Sequence, residues 1–200
     1  VKVDAIIANA AIMALPQREE KHGVELQYLT NHVGHFILVN DLLPTLKPKG
    51  RVVVVASMAH EGTYKAGLNF DDLSASKEYS PWGAYGQSKL ANVLFARELS
   101  KRLPAGQTAN SLHPGVADTE LGRHMGLSAV TKLFFRWVGG LIALKSVEAC
   151  AATEVYMAAH PDAEGITGEY WASCNVWKSS AFGRDDALAR TLWQKTEELV

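Results

Sequence analysis

Cysteine is scarce in this chain: two residues, Cys150 and Cys174, in 200. Two thiols so far apart exclude a disulfide framework and a zinc site built on cysteine. They read as small core residues in a reducing compartment, one in a helical pattern and one near a strand end. Basic runs are lacking too. Lys and Arg total 20 against 21 Asp and Glu, and no Lys/Arg run exceeds two residues, which argues against a nucleic-acid partner. Long apolar runs are missing as well. The most apolar stretch, residues 127–144, is interrupted by Lys132 and Arg136, and its longest uncharged run, 137–144, is well short of the ~18–20 residues of a membrane span. It reads as a helix over an apolar pocket; the less favoured reading lays it on a membrane surface with Trp137 and Arg136 at the interface. Glycine is present 16 times, yet nowhere in the spacings G-x-G-x-x-G or G-x-x-x-G-x-G that cradle a pyrophosphate.

What is present describes one globular domain. Apolar residues make up 48% of the chain, enough for a sizeable core. Strand-like runs fall at 3–8, 52–56, 108–112 and 168–172. Helical patterns fall at 23–46, 84–103, 118–144, 146–159 and 186–199. Strands alternating with helices predict an α/β fold, a parallel sheet with helices on both faces. The run Val52-Val53-Val54-Val55 is continuous rather than alternating, as expected of a strand buried on both sides. Breaks come at Pro48-Lys49-Gly50, Pro104-Ala105-Gly106 and His160-Pro161, all turn or helix-stop chemistry. No repeat, low-complexity tract or linker divides the chain.

The most informative local feature is Tyr85-Gly86-Gln87-Ser88-Lys89, at the start of the 84–103 helical pattern. A tyrosine and a lysine four apart share a helix face. An ammonium there favours the phenolate and lowers the phenol pKa from its usual ~10. A phenol so tuned exchanges a proton with a carbonyl or alcohol oxygen. One such spacing arises by chance in roughly one such chain in three, and its bland reading is a surface pair. Its company gives it weight. Asn9 follows the first strand in Ala8-Asn9-Ala10-Ala11, and Asn31 lies in Asn31-His32-Val33-Gly34-His35-Phe36. Ser57 ends Arg51-Val52-Val53-Val54-Val55-Ala56-Ser57. His113-Pro114-Gly115-Val116-Ala117-Asp118-Thr119 follows the third strand. Asn9, Ser57 and the 113–119 loop all sit past the C-terminal ends of strands, where ligands bind in open α/β sheets. His32 and His35, three apart, have no nearby Asp, Glu or Cys to complete a metal site, so none is expected. Ser88 and Asn92 neighbour the pair on the helix and are assigned no role.

These residues, in this order, resemble the short-chain dehydrogenase/reductase superfamily, and most closely its retinol-dehydrogenase-like and WW-domain-oxidoreductase-like branch. The resemblance covers almost the whole chain. It implies a Rossmann-type fold and hydride transfer between NAD(P)(H), with NADP(H) favoured, and a small-molecule alcohol or carbonyl. It implies Tyr85 as the acid/base, Lys89 as the group that lowers its pKa and bonds the ribose, Ser57 on the substrate oxygen, and Asn31 as anchor of a relay water. Cofactor contacts fall on Asn9, Ala10, Tyr85, Lys89, Pro114, Gly115, Val116 and Thr119; the family's Asn-Asn-Ala-Gly motif reads Ala8-Asn9-Ala10-Ala11 here. The 61–82 segment is similar to an insertion of that branch. The apolar 127–144 stretch suggests a lipophilic substrate, retinoid-like or steroid-like. The first strand resembles the family's fourth, so the chain is expected to be the C-terminal part of a single longer domain, lacking the N-terminal strands and their Gly-rich turn. A sheet edge so bared would be covered by the missing part or by another chain, which admits a homo-oligomer. A cytoplasmic location is the expectation. The alternative from a different class is a non-catalytic binding or scaffold domain derived from such an enzyme.

Overall fold

The computed structural model describes residues 1–115 and 146–200, so the expected 118–144 helix lies outside the described residues. In chain order come β1 (Val3–Ala8), the short strands β2 (Glu20–Lys21) and β3 (Val24–Glu25), α1 (Leu26–Tyr28), a π turn (Leu29–Val33) and α2 (Gly34–Leu42). Then follow β4 (Leu46–Val55), α3 (Pro81–Arg102), β5 (Thr108–His113), α4 (Val147–Ala159), β6 (Tyr170–Ala172), β7 (Asn175–Trp177) and α5 (Asp186–Glu197). The main sheet has the order β1-β4-β5-β6-β7. Its first four strands are parallel and β7 is antiparallel to β6.

The valine run explains the layering. Val52 and Val54 turn to one face, against Phe36 and Val39 of α2, Phe95 and Leu99 of α3 and Trp193 of α5. Val53 and Val55 turn to the other, against Met157 of α4 and Trp171. Alternate side chains of one strand thus hold helices on both faces, each valine contributing about 1.5–3 kcal/mol of burial. The parallel sheet expected from the sequence is there, and so are helices over the expected segments 84–103, 146–159 and 186–199.

Four boundaries differ from expectation. The 23–46 helical pattern is a hairpin strand, a helix bent through a π turn, and the beginning of β4. Strand β4 starts at Leu46 and takes in Pro48 and Gly50, because the register jumps: Val3 pairs with Leu46 but Ala5 with Arg51. The prolyl segment bulges out of the ladder, where its missing N–H costs nothing. Helix α3 begins three residues before the expected start, with Ser80 accepting from the Gly83 N–H and Pro81 in the first turn, a paired start signal. The β6–β7 hairpin was not expected. Its turn residues Ser173 and Cys174 both have positive φ, 49° and 60°, which Asn-Gly usually supplies.

Candidate active site

Because β1, β4 and β5 run parallel, their carboxyl ends share one edge. Asn9 and Ala10 follow β1 and are exposed; Ser57 follows β4 and is half-buried; Pro114 and Gly115 follow β5 and are half-buried. Gly115 has φ 109°, a backbone conformation that suits glycine. Val116 and Thr119 lie outside the described residues.

Helix α3 delivers the reactive pair to this edge. Its N-terminal half is buried almost all round. Tyr85 is 4% exposed and Lys89 1%. The Tyr85 hydroxyl lies beside the Ser57 side chain, which favours its phenolate. The Lys89 Nζ lies 5.7 Å from the centroid of the Tyr85 ring and donates to the Val55 carbonyl at 3.0 Å. Asn92, one turn further on, donates to the same carbonyl at 3.2 Å. Gly86 makes the approach feasible: a Cβ there would stand 2.7 Å from the Ala59 carbonyl oxygen and 3.2 Å from that of Gly62. Any side chain at 86 would push the turn after Ser57 off the helix and away from Tyr85.

The electrostatics differ from the expectation that Lys89 lowers the phenol pKa. Burial dominates and pushes Tyr85 up to about 12, with the Ser57 side chain opposing it. The Lys89 ammonium contributes nothing to the Tyr85 shift. Burial lowers Lys89 to about 8, partly offset by the Glu154 carboxylate, whose own pKa burial raises. At neutral pH the site therefore holds a protonated phenol beside an ammonium.

Asn31 is fully buried in the π turn. Its Oδ1 accepts from the Ile12 N–H at 2.9 Å, and its Nδ2 donates to the Ile12 carbonyl at 2.9 Å and to Ser88 Oγ at 3.0 Å. The side chain thus braces the strand-end loop 9–12 against α3. The Asn31 main-chain carbonyl faces the His35 side chain. His35 is itself buried and feels the charge of Lys89. Three bracing residues went unassigned in the sequence. Ser88 and Asn92 had an available signal, the i+3 and i+7 positions of Tyr85's own face. His60, fully buried after Ser57, had none, since its partner lies 120 residues away.

Could a nicotinamide dinucleotide be held here? The Lys89 ammonium carries three donors, of which Val55 takes one; the others suit the hydroxyls of a ribose. Exposed Asn9 and Ala10 and the positive-φ Gly115 border the same edge. These residues fit the nicotinamide ribose end of the group. Among the described residues no cluster could hold a metal ion, and no helix is long and apolar enough to cross a membrane.

Comparison with known proteins agrees with the fold. Residues 1–128 match the family described as short chain dehydrogenase. The chain is 42% identical to the chloroplastic short-chain dehydrogenase TIC 32 B of Brassica napus, covering 100% of this chain and 64% of that protein. It is 39% identical to human retinol dehydrogenase 14, covering 100% of this chain and 59% of that one. The fold superposes on an uncharacterized protein from Mycobacterium paratuberculosis with a TM-score of 0.74 and 33% identity, over 99% of this chain and 67% of that chain. The chain therefore spans about three fifths of the length of these curated relatives.

Proposed function

The chain belongs to the short-chain dehydrogenase family, and we propose that it carries the proton-transfer and substrate-orienting half of a nicotinamide-dependent carbonyl reductase or alcohol dehydrogenase acting on a lipophilic substrate. The observation that carries the reading is the buried Tyr85 hydroxyl beside the Ser57 side chain, with the Lys89 ammonium over its ring. In the reducing direction Ser57 and Tyr85 both hydrogen-bond the carbonyl oxygen. The bound nicotinamide cofactor supplies the hydride. As charge builds on that oxygen, Tyr85 gives it the phenolic proton, and Lys89 stabilises the phenolate left behind. A phenol held near 12 is still a far stronger acid than the alcohol it helps to form, so the transfer runs downhill. Lys89 also orients the ribose through its remaining donors, and Asn9, Ala10, Pro114 and Gly115 contact the cofactor; Val116 and Thr119 are proposed to join them. NADP(H) is the proposed form, on the resemblance to the retinol-dehydrogenase-like branch.

The lipophilic substrate has support beside the hydroxyls. Trp82 is 54% exposed and meets the Tyr85 ring edge-on at 6.1 Å, and Met58, next to Ser57, is 56% exposed. Two large apolar side chains held toward solvent, one against the ring of the buried acid and one next to Ser57 in sequence, suit an apolar chain or ring. The test is NADPH and NADH oxidation by the full protein with decanal, all-trans-retinal and acetaldehyde. Expected is turnover with NADPH, with kcat/KM at least ~10-fold higher for decanal or retinal than for acetaldehyde, since each buried methylene contributes about 0.8 kcal/mol. Loss of that preference in Trp82→Ser would tie it to this wall. Absence of turnover with all three, or a preference for acetaldehyde, contradicts the proposal.

A further inference from the structure

Both ring nitrogens of His60 are engaged by main-chain groups whose roles are fixed by chemistry. Its Nδ1 lies 2.6 Å from the Ser57 carbonyl oxygen, which accepts only. Its Nε2 receives the Ser180 N–H at 3.0 Å, a group that donates only. The ring is therefore neutral, with its proton on Nδ1. It is fully buried and packs against the Tyr170 ring at 5.0 Å. Of the charged groups around it, the Glu61 carboxylate favours the imidazolium, but burial outweighs this and lowers the pKa.

The contact joins two parts of the chain that sequence separates widely. On one side is the turn after β4, where Ser57 Oγ accepts from the Ala59 N–H at 3.2 Å and lies beside the Tyr85 hydroxyl. On the other is the segment between β7 and α5, tightened by Gly183 N–H to Ser180 Oγ at 3.1 Å and by Arg184 to the Ser179 carbonyl at 2.8 Å. A second contact supports the first: the Phe182 ring lies about 3.1 Å from where a Gly67 Cβ would stand. A turn tied at both ends leaves the Ser57 hydroxyl little freedom.

We propose that His60 is a positioning residue for the reaction: as the neutral Nδ1–H tautomer it fastens the Ser57 main chain to Ser180 and so holds the Ser57 hydroxyl on Tyr85. This rests on the role given to Ser57 above. It assigns a function to a histidine that touches neither substrate nor cofactor, and it makes the segment before α5 part of the active-site support.

The test is a double-mutant cycle in the full protein, read as NADPH-dependent reduction of decanal. Glutamine at 60 reaches the Ser180 N–H with its Oε1 but gives up the short ring bond to the Ser57 carbonyl, which keeps only the main-chain N–H of residue 60, at 3.2 Å in the unsubstituted chain. His60→Gln should lower kcat by about 10-fold, the scale of a modest misplacement, with the KM for NADPH unchanged. On a Ser57→Ala background the same change should cost nothing further. An equal loss on both backgrounds, or no loss on either, overturns the proposal. If Ser57→Ala alone left kcat unchanged, the role of Ser57 would fail instead, and the two failures are distinct. The tautomer is read independently of turnover and folding of variants, from long-range proton–nitrogen correlations of histidine-labelled, unsubstituted chain at pH 7. A proton on Nδ1 alone is expected; an imidazolium or an Nε2–H tautomer overturns the proposal.

Discussion

The two sides of the candidate site are built by different physics. On the helical side, Tyr85, Ser88, Lys89 and Asn92 follow one another at offsets of three, four and seven along α3, and regular helix geometry alone puts them on one face. On the loop side, Ser57 is placed by contacts from far along the chain: His60 to Ser180, Phe182 on Gly67, and the bare Gly86 backbone under the 58–62 turn. The helical side is a buried interior surface that cannot easily move; the loop side is held by a few specific bonds. The comparison teaches that substitutions of the reactive helix pair, Tyr85 and Lys89, should act on chemistry with the fold intact, whereas substitutions on the loop side should act by letting Ser57 wander.

The sharpest separation is Lys89→Met. Methionine fills the same volume without the charge, and the Val55 carbonyl keeps Asn92 as a donor. Turnover should fall by about 100-fold or more, and the KM for cofactor should rise. Stability should hold or improve, because a buried ammonium no longer has to be desolvated. A thermal melt beside steady-state kinetics checks both halves; parallel losses would mean that Lys89 is merely structural.

Next in size is Gly86→Ala, the change that wedges the two sides apart. A methyl 2.7 Å from the Ala59 oxygen forces the turn outward, at an overpacking cost of about 1–3 kcal/mol that the better helix propensity of alanine offsets only in part. Turnover should drop by about 10-fold, the penalty of a displaced hydroxyl, and the denaturation midpoint should fall. Full activity would show that the approach of turn to helix does not matter.

The acid response sharpens the comparison from another direction. Burial lowers the pKa of His32 to about 3 and also lowers those of His35 and His60. The unfolded chain takes up these protons below about pH 6.5 and the folded chain does not, so stability should fall as pH drops through that value and continue to fall toward 3. Glu25 and Glu154, whose pKa values burial raises, take up protons more readily folded than unfolded and offset part of the loss at the lower end. Melting temperatures from pH 7.5 downward test this; a flat profile through 6.5 would show that the histidines charge freely in the fold.

The smallest expected effect is Ser88→Ala. It removes one partner of the buried Asn31 amide, which retains Ile12. The cost should be about 1 kcal/mol of stability, seen as a lower denaturation midpoint, with turnover changed less than threefold, roughly the tolerance of an indirect contact.

What could be read from the sequence follows the same division. The valine run, the Tyr85–Lys89 spacing and the residues past the strand ends rest on local periodicity, and the parallel sheet and the convergence at its carboxyl edge came from them. The β6–β7 hairpin was illegible because Ser173 and Cys174 supply a positive-φ turn without the residues that normally announce one. The length of β4 was illegible because Pro48 and Gly50 look like a break and act as a bulge. The direction of the Tyr85 shift was misread because spacing gives the distance to a charge but not the depth of burial, and here burial wins. His60 was invisible because its meaning depends on Ser180.

The central claim is that Tyr85 gives its proton to the substrate oxygen, and Tyr85→Phe tests it most directly. The change removes one hydroxyl and leaves the ring, its contact with Trp82 and the position of Lys89 in place. Measured as NADPH-dependent reduction of decanal by the full protein, with cofactor affinity followed by fluorescence titration, kcat should fall by at least ~100-fold, the usual scale for a positioned acid, while the cofactor Kd stays within a factor of about three. A variant that keeps more than about half of the wild-type kcat would contradict the account, because a proton donor worth ~100-fold cannot be removed at so small a cost.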